Sequence, residues 1–124
     1  YLDTEDLIDL ARVLLGDPPP IRDVGLLGSA AARPATQVFG REAYPDLASK
    51  AAALLQSIVG NHSLIDGNKR LAWLAPAVFL ELNGVSAHEA TNDDVFAFVV
   101  WVAAESPDLA AVTTGLRRIV NFAD

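Results

Sequence analysis

The stretch Asn61-His62-Ser63-Leu64-Ile65-Asp66-Gly67-Asn68-Lys69-Arg70 packs an imidazole, a carboxylate, an ammonium, a guanidinium and two amides into ten residues. Upstream, Leu47, Ala51, Leu54, Leu55 and Ile58 recur at the 3.6-residue period of one helical face. Gly60 is the residue best suited to the left-handed conformation that closes a helix, so this reading ends the helix there. Downstream, Leu71 to Leu80 is an unbroken apolar run that stops at Asn83-Gly84. The decamer is therefore an elbow between two helices, and it carries too much chemistry for a plain connector.

Asp66 and Gly67 break the helical period, and Asn68 reads as the cap of the second helix. The backbone N–H groups of Asn68, Lys69 and Arg70 then lack partners within the helix and face the elbow, where the helix dipole also favours negative charge. Such an end binds anions. Phosphate fits best, because Lys69 supplies a compact point charge and Arg70 a planar fork for paired oxygens. The candidate cradle is Gly67, Asn68, Lys69 and Arg70. Asp66 is the candidate metal ligand, since a carboxylate beside phosphates is how magnesium is held. His62, four residues earlier, takes a proton near neutral pH and is the candidate general base.

Taken singly, each of these residues has an ordinary structural reading. A histidine closing a helix pairs with the last carbonyls, Asp66 and Asn68 serve turns and caps, and Lys69 and Arg70 are solvated charges. Their joint order is what points to a site.

That order also carries a resemblance. His-x-x-x-Asp-Gly-Asn-Lys-Arg resembles the signature of the Doc (death on curing) toxins, a branch of the Fic superfamily whose general motif reads His-Pro-Phe-x-(Asp/Glu)-Gly-Asn-Gly-x-Arg. Further points of likeness are Tyr1-Leu2, Glu5-Asp6, Gly25-Leu26-Leu27, Ala32-Arg33-Pro34, Phe39-Gly40, Tyr44-Pro45, Lys50-Ala51-Ala52 and Leu82-Asn83-Gly84, which follow in family order over the first two thirds of the chain. Three positions depart from it. Ser63 and Leu64 replace the proline and phenylalanine that anchor the elbow, and Ala11 stands where many members have histidine. Leu64 can still fill an apolar pocket, so the first two changes should loosen the loop without abolishing it.

The resemblance implies a single Fic/Doc domain over residues 1–124. It also implies chemistry. Members with glycine after the asparagine transfer AMP from ATP to a target hydroxyl, whereas Doc has lysine there, as Lys69 is here, and acts as a protein kinase. The nucleotide would lie reversed, with its terminal phosphate facing a threonine of elongation factor Tu, and phosphorylation would arrest translation. ATP and Mg²⁺ are the implied cofactors. A Fic-type AMP transferase and a catalytically inert Fic-fold binding module stay open as alternatives. Self-restrained members carry a Ser/Thr-x-x-x-Glu inhibitory helix, but none of Glu5, Glu42, Glu81, Glu89 and Glu105 has serine or threonine four residues before it. Inhibition is therefore expected from outside, by an antitoxin of the Phd type whose disordered tail folds into a groove on the bundle.

Composition bounds the rest. The chain has 124 residues, the size of one domain, and can bury about two thirds of its unfolded surface. With 52% hydrophobic and 20% charged residues it is globular rather than disordered. A formal charge of -7 argues against a surface that grips nucleic acid, which needs clustered cations to displace counterions. The absence of cysteine excludes disulfides and thiolate nucleophiles and fits a cytoplasmic protein. The longest apolar runs, Leu71 to Leu80 and Val95 to Ala104, are ten residues each, about half of what a bilayer requires. The absence of methionine, even at position 1, reads as a chain trimmed at its start or renumbered.

From the start of the chain, a first helix opens at Asp3 or Thr4, with Leu7, Ile8, Ala11, Leu14 and Leu15 on one face, and ends at Gly16 before Pro18-Pro19-Pro20. A second starts from the cap Asp23, buries Leu26, Leu27, Ala30 and Ala31, and stops before Pro34. Residues 38–44 lack a helical period and read as a loop or short hairpin, either an ordinary surface loop or, as the resemblance implies, the flap that aligns an extended target segment in Fic-like proteins. The helix from Asn68 to Leu82 is apolar nearly all round, as a buried central helix should be, and Pro76 should kink it. Thr91, with Asp94 three residues on, suggests a capping box for the next helix, and Ser106-Pro107 starts the last one, with Leu109, Val112, Leu116, Ile119 and Val120 on a face. His88 reads as surface, and Trp73, Phe79, Phe96, Phe98 and Trp101 as core. The predicted fold is all-α, a compact six-helix bundle of the Fic/Doc type with a short flap.

Overall fold

Helix starts in this chain are set by side-chain oxygens. In the computed structural model, which describes residues 1–122, Asp3, Asp23, Asp46, Thr91 and Asp108 each accept a hydrogen bond from a backbone N–H in the first turn of the helix that follows. They open α1 (Thr4–Leu15), α2 (Val24–Ala32), α3 (Leu47–Asn61), α5 (Asn92–Glu105) and α6 (Leu109–Ile119). The remaining helix, α4 (Asn68–Leu82), has no side-chain cap. A single 3₁₀ turn, Arg33–Ala35, carries Pro34 after α2. Gln37–Val38 (β1) and Arg41–Glu42 (β2) pair antiparallel as the expected short hairpin.

Among the described residues this makes six α-helices, as the periodicity predicts, and each contributes to one buried apolar cluster. The predicted faces hold. Leu7 and Ala11 of α1, Leu27, Ala30 and Ala31 of α2, and Val112 and Leu116 of α6 are buried. From Leu71 to Leu80, α4 has no exposed residue and runs through the buried Pro76. The most enclosed helix, however, is α3, which packs against α2, α4, α5 and α6. Alanines at 48, 51, 52 and 53 make this possible, because four neighbours can approach a helix closely only where its side chains are small.

Several local expectations are corrected. α3 continues past Gly60, and His62 is the left-handed closing residue (φ 50°, ψ 45°). The cap position of α4 is Gly67 (φ 86°), and Asn68 is the first helical residue. Ser106 closes α5 in the left-handed region, its N–H bonded to the Val102 carbonyl, and Asp108 opens α6 in its place. The full reciprocal capping box is at Asp3 and Asp6, with bonds of 2.9 and 2.8 Å. Thr91 accepts from the Asp94 N–H at 3.1 Å. Phe79 and Phe98 are core and Trp73 packs against it, but Phe96 is 70% and Trp101 38% exposed. The reason is position: of the apolar stretch Val95 to Ala104, α5 buries only the Phe98, Val99 and Val102 side.

No helix among the described residues is long and apolar enough to cross a membrane.

Candidate functional site

The elbow between α3 and α4 is braced by main-chain bonds to the connector before α2. The N–H groups of Arg22 and Asp23 donate to the Ser63 carbonyl at 2.8 and 3.0 Å, and the Ile65 N–H donates to the Pro20 carbonyl at 2.8 Å. Ile21 and Leu64 form an isolated antiparallel bridge. The end of the proline run thus serves as a rail for the loop. Leu64 is buried as predicted, filling the core below the elbow, and Ser63 beside it is fully buried with no partner for its hydroxyl.

Within the elbow, the Asn68 amide turns back to Leu64, accepting from its N–H at 3.0 Å and donating to its carbonyl at 2.9 Å. The Asp66 carboxylate accepts from the Gly67 N–H at 2.9 Å. Glycine suits position 67 for two reasons: its φ is positive, and a Cβ there would lie 2.6 Å from the Leu15 methyls, which would have to shift. With Gly67 at the cap position and the Asn68 side chain committed to Leu64, what the α4 end offers a ligand is backbone N–H groups. Of the six helix starts, this is the one left open.

His62, Asp66, Gly67, Asn68, Lys69 and Arg70, the six residues singled out from sequence, all line one cavity of about 360 Å³, closed by Val59, Ile65 and Ala103. That volume is within the range of small-molecule sites. The Asp66 and Arg70 side chains are both exposed and 4.0 Å apart. At that exposure the pair contributes little to stability and can be exchanged for ligand contacts. A single carboxylate beside an open helix end suits magnesium only when phosphate oxygens and water complete its shell. The described residues hold no cluster of three or more His, Cys, Asp or Glu able to bind a metal unaided.

One residue at this site has no local signal. Arg22 lies forty residues before His62, yet its Nε donates to the His62 carbonyl at 3.0 Å and its Nη2 to the same oxygen. With His62, Leu64, Ile65 and Asn68 it lines a second cavity of about 430 Å³, so His62 stands between two openings. Nothing in the sequence around Ile21-Arg22-Asp23 signals this, because the contact exists only once α2 docks against α3.

The hairpin is anchored along α3. Lys50, buried in α3, pairs with Glu42 of β2 at 3.0 Å and also donates to the Tyr44 carbonyl. Arg33 donates to the Tyr44 hydroxyl (3.1 Å), the Ala53 carbonyl (3.3 Å) and the Ser57 hydroxyl (3.0 Å). At the tip, Phe39 is fully exposed at φ 52° and is followed by Gly40 at φ 77°. A phenylalanine held in the left-handed region and in water has no packing reason to be there.

Residues 1–80 match the model of the Fic/DOC family, a stretch that contains the whole elbow and most of α4. Over 85 residues the chain is 53% identical to Toxin Doc of Mycolicibacterium smegmatis (strain ATCC 700084 / mc(2)155), covering 68% of this chain and 65% of that relative. The match therefore spans a little under two thirds of the relative's length. An elbow carrying the motif in order, inside an all-α bundle matched over more than half of its length, means that the chain belongs to the Fic/Doc family.

Proposed function

We propose that this chain is a Doc-like toxin that transfers the γ-phosphate of ATP to a protein hydroxyl, a threonine of elongation factor Tu in the cytoplasm, and so arrests translation. The observation that carries the reading is the open N-terminus of α4, with Lys69 and Arg70 on it and His62 and Asp66 on the same cavity. A similarity to a protein named Toxin Doc supports the toxin role. Lys69, where AMP-transferring members have glycine, supports the kinase chemistry.

Phosphoryl transfer asks a protein mainly to position groups and neutralise charge. His62 accepts the proton of the target hydroxyl as its oxygen bonds to the γ-phosphorus, while the bond from that phosphorus to the β–γ bridging oxygen breaks and ADP leaves. The N–H groups of the first turn of α4, with Lys69 and Arg70, hold the phosphates. Asp66 is the residue that would hold Mg²⁺, which when bound supplies charge neutralisation at the phosphates. The hairpin takes an extended target segment by main-chain bonds, with Phe39 as its exposed apolar tip.

Restraint comes from an antitoxin of the Phd type. A trough of about 370 Å³ between α1, α4 and α5 is lined by Leu14, Trp73, Val95 and Phe96 and shares Lys69 and Arg70 with the site. An acidic amphipathic segment laid there would cover both cations.

The test is incubation with purified elongation factor Tu and ATP labelled on the α or the γ phosphate. Label from γ alone supports the reading, label from α indicates an AMP transferase, and no label indicates an inert module. His62→Ala should slow transfer by about a hundredfold or more. Transfer at the parent rate in that variant overturns the role of His62.

A further inference from the structure

Among the described residues, two helices are closed by a left-handed residue other than glycine, Ser106 after α5 and His62 after α3. Ser106 is locked by its own backbone, its N–H bonding the Val102 carbonyl at 3.1 Å. Among the described residues no such bond closes His62. A left-handed β-substituted residue is strained, and it persists only where its surroundings impose it. At His62 those surroundings are Arg22 and Asp23. Four donors converge on two successive carbonyls: the Arg22 Nε and Nη2 on His62, and the N–H groups of Arg22 and Asp23 on Ser63.

We infer that Arg22 is a positioning residue for His62. A guanidinium that grips one carbonyl through two of its nitrogens fixes the plane of the peptide between residues 62 and 63. It thereby fixes the direction in which the imidazole leaves the chain, toward the space shared by the two cavities. A lysine could supply the charge but not the fork. The Arg22 side chain is exposed, so replacing it opens no core, and the two main-chain bonds to Ser63 are kept by alanine or lysine at this position. The fold is therefore retained while the His62 carbonyl is freed.

The consequence for catalysis rests on the reading of His62 as general base, but the positioning itself does not, and the experiment separates the two. The chain has only two histidines, so the His62 ring signals in the NMR spectrum are those lost in His62→Ala. In Arg22→Ala the ring should lose its single ordered set of signals, while circular dichroism stays that of the parent. Turnover should fall about 10- to 100-fold, with the KM for ATP within about twofold of the parent. Arg22→Lys should restore part of the ring order and part of the rate. Unchanged ring signals in Arg22→Ala overturn the inference whatever the activity, whereas a mobile ring at full rate upholds the positioning and counts against His62 as general base. A parent that transfers no phosphate, with the ring still freed by Arg22→Ala, upholds the positioning and counts against the kinase reading alone.

Discussion

The side-chain amide of Asn68 closes on both main-chain groups of Leu64, four residues earlier, and so takes the place of a missing turn of helix in the middle of the elbow. Asn68→Ala leaves a half-buried N–H and carbonyl without partners and should cost about 1 to 3 kcal/mol in chemical denaturation. Asn68→Asp keeps the bond from the Leu64 N–H but cannot donate to its carbonyl, and it places a negative charge at the open end of α4. It should therefore lower phosphate affinity more than Asn68→Ala does, as measured by titration with ATP.

Gly67 combines a positive φ with contact to Leu15. Gly67→Ala should destabilise by about 1 to 2 kcal/mol from the backbone alone. Adding Leu15→Ala relieves the contact but not the φ cost, so thermal melting of the double variant should show no recovery to the parent midpoint.

Ser63 buries a hydroxyl that has no hydrogen-bond partner. Ser63→Ala removes that unpaired group at little change in volume and should raise stability by about 1 kcal/mol. The urea midpoint checks this, and a fall would show that the hydroxyl is paired in solution.

Asp46 opens α3, and its carboxyl is held below the ordinary range, first by the Ser49 backbone N–H and also by the Ser49 side chain, Arg117 and Lys50. Because the folded-state value is depressed, its contribution is present at neutral pH and is lost as pH falls below about 4. Asp46→Asn keeps the cap without the charge and should flatten the stability profile in that window. Asp46→Ala should also lose about 1 kcal/mol at neutral pH. Denaturation midpoints between about pH 3 and 7 give both values.

Lys50 ties the hairpin to α3 through Glu42 and the Tyr44 carbonyl. Lys50→Met preserves the packing of α3 but frees β2, so amide exchange at Val38 and Arg41 should accelerate by about tenfold while α3 amides stay protected. Equal acceleration in both would mean that the pair holds the whole bundle rather than the hairpin.

The sequence by itself determined the helices and most of their starts, because aspartate or threonine caps and 3.6-residue periods act within one or two turns of chain. It also determined the six residues of the elbow, since their chemistry is read from order alone. The tertiary structure decided how those residues are used. His62, not Gly60, takes the left-handed bend where the side chain of Arg22 and the N–H groups of Arg22 and Asp23 converge on the carbonyls of His62 and Ser63. Asn68 serves the loop with its side chain and leaves only backbone N–H groups at the open helix end. Phe96 and Trp101 stay partly in water because α5 has neighbours on one side only, and α3 becomes the centre because its alanines admit four helices at once. Each of these depends on which elements meet, and an apolar period shows that a face will be buried without showing what will cover it.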